Sequence, residues 1–140
     1  MTAPTLRLMD VYPGPVNLDR AQLAHTIDAL IGCSEASTAC ADACLSEQSV
    51  ADLTRCISSG VICADICATT ARVLSRQTGF DAVVNAALLE ACLAACVACA
   101  DECEQHADQH EHCRICAAVC QACASSCRAL LAAMRQPAML

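Results

Sequence analysis

The sequence has no tryptophan and no lysine, and only one phenylalanine (Phe80) and one tyrosine (Tyr12). The large rings that dominate most protein cores are therefore missing, and burial has to come from smaller side chains. With no lysine and a formal net charge of −7, the chain has no basic surface to neutralise phosphates, so nucleic acid is excluded as a partner. The opening residues MTAPTLRLMD lack the basic segment and apolar run of a secretory signal, so a cytoplasmic, reducing location is expected. No apolar run reads as long enough to span a bilayer, and no membrane partner is expected. Catalysis is not expected either, because no Ser–His or Cys–His pair has the isolated setting of a nucleophile and its base. C-x-x-C pairs occur at Cys96–Cys99, Cys113–Cys116 and Cys120–Cys123, but without the βαβ context of a redox motif.

What the chain does have is cysteine: 15 in 140 residues, in a length that fits one compact domain. The number is odd, and most of the thiols lie three or four residues apart in Ala-rich, helix-favouring sequence. Neighbours on one helix face are poorly placed for disulfide geometry. The expected fold is all-α, an antiparallel up-down-up-down four-helix bundle with a Cys-lined core. Residues 1–18, with three prolines and a Pro-Gly-Pro turn, read as an irregular arm; 19–136 read as the bundle and 137–140 as a tail. Asp19 with Gln22, Ser49 with Asp52, Asp81, and Asp108 with Glu111 offer four helix starts, and Gly79 offers a stop. No Gly or Pro separates residues 80 and 136, yet one helix there would leave an apolar stripe of ~80 Å without a partner, so a hairpin near Asp108 is expected.

The cysteine spacings carry the argument. The first helix has Cys33, Cys40 and Cys44, and the second repeats the pattern with Cys56, Cys63 and Cys67. The third has Cys92, Cys96, Cys99 and Cys103, followed in phase by His106 and His110. The fourth has Cys113, Cys116, Cys120, Cys123 and Cys127. Every step places the set on one helix face, at the seam positions where Leu, Ile and Val normally pack. One or two such residues would read as small buried hydrophobes. All fifteen in seam phase read as ligands for soft metal.

Charge decides between metals. Zinc in closed tetrahedra would leave each site negative in a low-dielectric core, and Fe–S clusters want loop-borne thiolates with free backbone N–H groups nearby. Monovalent Cu(I) balances one thiolate with one ion, so many ions fit per chain and the core stays near neutral. An Fe–S or zinc thiolate protein and a purely structural bundle are the alternatives. In an antiparallel arrangement Cys44, Cys56, Cys103 and Cys113 approach one end. Ile27, Leu30, Leu74, Leu88, Leu130 and Met134 plug the other. His106 and His110 then mark a copper-uptake site at the open mouth; His112 reads as a weaker candidate, His25 as structural, and Met1, Met9 and Met139 as terminal.

The motifs CSEASTACADAC, CISSGVICADIC, CLAACVACADECEQHADQH and CRICAAVCQACASSC resemble those of the copper storage proteins, over about residues 19–136. The resemblance implies Cu(I) held by cysteines inside each bundle and a homotetramer of bundles; copper donor or acceptor proteins are expected as further partners. It also implies an exported and a cytosolic branch, and this chain is similar to the cytosolic one. The seam departs from the pattern at Ser37 and Gly60, where the heptad step would allow cysteine.

Overall fold

The computed structural model describes residues 4–136, so the tail expected at 137–140 and the terminal Met1 and Met139 lie outside the described residues. The described chain is all-helical: α1 (Pro4–Asp10), α2 (Arg20–Leu45), a 3₁₀ turn (Val50–Asp52), α3 (Thr54–Leu74), α4 (Ala82–Glu104) and α5 (Glu111–Met134). The four long helices have 26, 21, 23 and 24 residues, or ~30–40 Å each at 1.5 Å per residue. α2 and α4 each pack against both α3 and α5, and α1 lies on α2.

Two of the four expected starts form as caps. The Asp19 carboxylate accepts from the Gln22 backbone N–H at 2.8 Å. The Asp81 carboxylate accepts from Val83 and Val84 at 2.9 and 3.2 Å. The other two do not. Ser49 precedes the 3₁₀ turn, and Leu53 begins α3 with no side-chain cap. The Ser49 hydroxyl is instead 3.4 Å from Nε2 of His110, across the mouth. His110, not Asp108, stands at the start of α5. Gly79 has φ +68°, but α3 has already ended at Leu74. The glycine serves a later turn, closed by Phe80 N–H to the Gln77 carbonyl at 3.2 Å, whose third residue requires positive φ.

The arm is not wholly irregular. Pro4 opens α1, where its missing N–H costs nothing. Thr5 Oγ1 donates to Asp28 at 2.6 Å, Arg20 donates to the Met9 carbonyl, and Met9 is buried rather than a loose terminal residue. Tyr12 and Thr78 hydroxyls meet at 2.7 Å, which ties the arm to the α3–α4 turn.

By length and composition alone, α3, α4 and α5 are apolar enough to cross a membrane, contrary to the sequence expectation. Their apolarity comes largely from Ala and Cys. Each directs its cysteines into the core formed with the other helices.

The plug end is also more mixed than expected. Ile27, Leu30, Leu74 and Leu130 are fully buried, but α4 contributes Leu89 while Leu88 is half-buried, as is Met134. Both leucines lie within a helical step of Cys92, and the three-residue step wins. Thr26, Thr70, Gln77 and Asn85 are buried there too. The threonines bond back to the Gln22 and Ile66 carbonyls at 2.9 and 2.7 Å. The side-chain carbonyls of Gln77 and Asn85 have no hydrogen-bond partner among the described residues.

Candidate metal centre

Each helix contributes a column of thiols because steps of three, four or seven return to one face. All 15 are free thiols and none is more than 4% exposed. Across α3 and α4 the sulfurs pair as Cys56–Cys103 at 3.5 Å, Cys63–Cys96 at 3.8 Å and Cys67–Cys92 at 3.5 Å. Across α2 and α5 they pair as Cys40–Cys113 at 4.0 Å and Cys33–Cys120 at 3.7 Å. Each forward step on one helix is matched by an equal backward step on its partner. Cys33 also reaches Cys63 and Cys96, both at 3.9 Å, which joins the two columns.

Groups of donors lying within 4.8 Å of one another include Cys33/Cys63/Cys67/Cys96, Cys67/Cys92/Cys96/Cys123, Cys63/Cys99/Cys120, Cys40/Cys103/Cys116, and Cys40/Cys44/Cys113 with His112. Cys127 is buried beside Cys92 and Cys123. The groups overlap, with Cys40, Cys63, Cys67 and Cys96 each belonging to at least two. Overlap is unsuited to separate closed tetrahedra, which need private ligands. It suits thiolates that bridge several monovalent soft ions.

The column on α2 is interrupted by Ser37. Its hydroxyl is fully buried, 3.7 Å from the Cys120 sulfur and 4.0 Å from those of Cys33 and Cys116. Ser34 Oγ donates to the Ala64 carbonyl at 3.0 Å, which pins α2 to α3 just beside that level.

At the mouth, the segment after α2 and the start of α5 bring the half-buried His110 and His112 together with the Glu47 carboxylate. His110 pairs through Nδ1 with Glu47 and stacks on His112, with ring centroids 5.4 Å apart. His112 places Nδ1 3.4 Å from the Cys40 sulfur and 3.6 Å from that of Cys113, and Nε2 3.5 Å from Glu47. His106 lies in the same turn, where its carbonyl accepts from the His110 N–H at 3.0 Å. The weaker sequence candidate, His112, is thus the imidazole that touches thiols. It is one residue out of phase with the α5 column, and the signal that finds it is its position in the first turn, opposite Cys40. His25 is exposed on α2.

Burial pushes the Cys44 and Cys113 thiols up, and at both the nearby sulfur charge of Cys56 adds to it. The bond between the Cys56 and Cys103 sulfurs, 3.5 Å apart, holds the Cys56 thiol low, while Cys103 is raised, first by its bond with Cys116. Ionisation of one thiol of such a pair therefore opposes ionisation of the other. For Cys44 and Cys113 the raised folded value means stability held in full below the ordinary thiol range, about 8.5, and lost as pH rises through the elevated values. Metal-free, reduced protein is thus expected to melt at falling temperature above about pH 9. Anaerobic thermal melts monitored by circular dichroism check this, and a flat or rising profile counts against it.

A family model described as copper storage protein matches residues 19–132. In a comparison with curated proteins, none matches. Among solved structures, the chain is similar to the copper storage protein of Streptomyces lividans loaded with 10 copper equivalents. The identity is 51% and the TM-score 0.91, over 92% of this chain and 98% of that one. A structure showing five coppers loading into a cytosolic copper storage protein from the same organism gives 54% identity and a TM-score of 0.79, over 80% and 93% of the two chains. A variant of that organism's protein with two histidines replaced by alanine gives 52% and 0.82, over 83% and 98%.

Proposed function

The chain belongs to the copper storage protein family, and from that premise we propose how it stores copper: as many Cu(I) ions, in the cytoplasm, on thiolates of all fifteen core cysteines. The observation that carries the reading is the continuous lattice of buried sulfurs 3.5–4.0 Å apart. Each Cu(I) takes the place of one thiol proton, so RSH and Cu⁺ become RS–Cu and H⁺. The charge of the core does not change as it fills, which is what burial of many ions requires.

Cys33, Cys40, Cys44, Cys56, Cys63, Cys67, Cys92, Cys96, Cys99, Cys103, Cys113, Cys116, Cys120, Cys123 and Cys127 serve as ligands. His106 and His110 serve as the uptake site at the mouth, and His112 carries copper on to Cys40 and Cys113. An antiparallel up-down-up-down bundle over 19–136 is supported by the matched forward and backward steps of the sulfur pairs and by the short turns between helices. The role is binding rather than catalysis. Assembly into a homotetramer and exchange with copper donor and acceptor proteins extend the reading from the family.

Titration of reduced protein with Cu(I) against a competing chelator tests it. Saturation on the order of the thiol count is expected. Saturation at one or two ions, or a visible iron–sulfur chromophore in anaerobically isolated protein, would overturn it.

A further inference from the structure

We infer that Glu47 is a positioning residue for copper uptake, one carboxylate that fixes which nitrogen each mouth imidazole presents; the inference rests on the storage reading above. Glu47 lies just past the end of α2, and its backbone is held on both sides. Its N–H donates to the Cys44 carbonyl and its carbonyl accepts from Val50 N–H, both at 3.2 Å. The side chain is 31% exposed and faces His110 and His112, themselves 13% and 28% exposed. Of the other carboxylates around the mouth, Glu111 pairs with Arg114 and Glu104 accepts from Gln121.

A carboxylate only accepts hydrogen bonds, so an imidazole nitrogen facing it carries the proton. With Oε2 of Glu47 3.5 Å from Nε2 of His112, the neutral ring keeps Nε2–H and leaves the Nδ1 lone pair free. That lone pair points to Cys40 and Cys113, at 3.4 and 3.6 Å. Before loading it accepts from the Cys40 thiol, and after the thiol loses its proton it is a ready ligand beside two sulfurs. His110 is held in the opposite sense. Its Nδ1–H donates to Glu47, so its Nε2 lone pair faces the Ser49 hydroxyl at 3.4 Å, a weak partner that an incoming ion displaces. The two stacked rings therefore offer an outer Nε2 and an inner Nδ1 in sequence. Without the carboxylate each ring is free to protonate the nitrogen that copper needs, and partners of this kind orient metal-binding histidines generally.

The test reads tautomers directly. In ¹⁵N-labelled, reduced, metal-free protein at mildly alkaline pH, long-range ¹H–¹⁵N spectra are expected to show His112 protonated at Nε2 and His110 at Nδ1. In Glu47→Ala both rings should shift towards mixtures. Cu(I) transfer from a chelator to the mouth should slow on the order of tenfold, with final capacity and helicity unchanged. Glu47→Gln keeps one acceptor oxygen and should fall between the two, and it decides the matter if the alanine variant does not fold. His112 protonated at Nδ1 in the unaltered protein, or unaltered tautomers in both variants, overturns the inference. Equal slowing in both variants with wild-type tautomers would mean that the carboxylate acts only by its charge, and it also overturns it. A low copper capacity in the unaltered protein would instead sink the storage reading and leave the tautomer result standing.

Discussion

Copper-loaded protein is expected to show no thermal transition in the range where the metal-free form melts, a shift well beyond 20 °C. A ligand present at 1,000 times its Kd adds about 4 kcal/mol to the folded state for each site it does not occupy in the unfolded chain. For a domain of this length 1 kcal/mol moves Tm by a few degrees, so a single saturated site contributes ~10 °C and several together exceed an ordinary scan. The metal-free core has little to set against this. Its central layers are cysteine and alanine rather than leucine and phenylalanine, and small side chains bury little apolar area each. Unfolded thiols also bind Cu(I), which reduces the gain, but an extended chain does not hold Cys33, Cys63 and Cys96 within 3.9 Å of one another. Melts at increasing copper equivalents under anaerobic conditions should rise with each addition. A Tm independent of copper would show that the ions are held as well by the unfolded chain, and that the lattice is not the store.

The seam cysteines were legible in the sequence because their phase is a local property of the helix, and all fifteen are buried. What was not legible depends on contacts between segments. Ser49 looks like a helix cap, but its hydroxyl meets His110 across the mouth. The proline-rich arm carries α1 because Thr5 and Met9 find partners in Asp28 and Arg20. Leu88 and Leu89 are both plausible continuations of the α4 seam, and packing against the other helices selects the second. His112 is out of phase by one residue, and its approach to Cys40 follows only once α5 lies along α2. The apolar count of α3 to α5 misleads in the same way. Cysteine scores as apolar wherever it stands, and these columns face other sulfurs.

Gly60 is the sharpest case, and substituting it with cysteine is expected to lower stability by about 1–2 kcal/mol and to reduce copper capacity. By spacing alone the position is a vacant ligand site. In the fold, a Cβ there would lie 3.2 Å from the Ser37 backbone oxygen and 3.5 Å from the Ala41 Cβ. The obstacle is helix backbone, so α2 and α3 would have to part. Replacing a helical glycine returns up to ~1 kcal/mol of propensity, whereas overpacking costs ~1–3 kcal/mol. The cost falls where the lattice is joined, because separation of α2 from α3 also stretches the 3.9 Å contact between Cys33 and Cys63. Ser37→Cys provides the contrast. The Ser37 hydroxyl already lies 3.7–4.0 Å from the sulfurs of Cys33, Cys116 and Cys120. A thiol in its place completes the α2 column and should raise capacity by about one ion, with stability changed by less than ~1.5 kcal/mol. Denaturant midpoints and Cu(I) titrations of the two variants read both effects. If the Gly60 variant is as stable as the unaltered protein and binds more copper, the glycine is only a missing ligand. If it is destabilised while Ser37→Cys gains an ion, the close approach of α2 and α3 at Gly60 is what keeps the two halves of the lattice in contact.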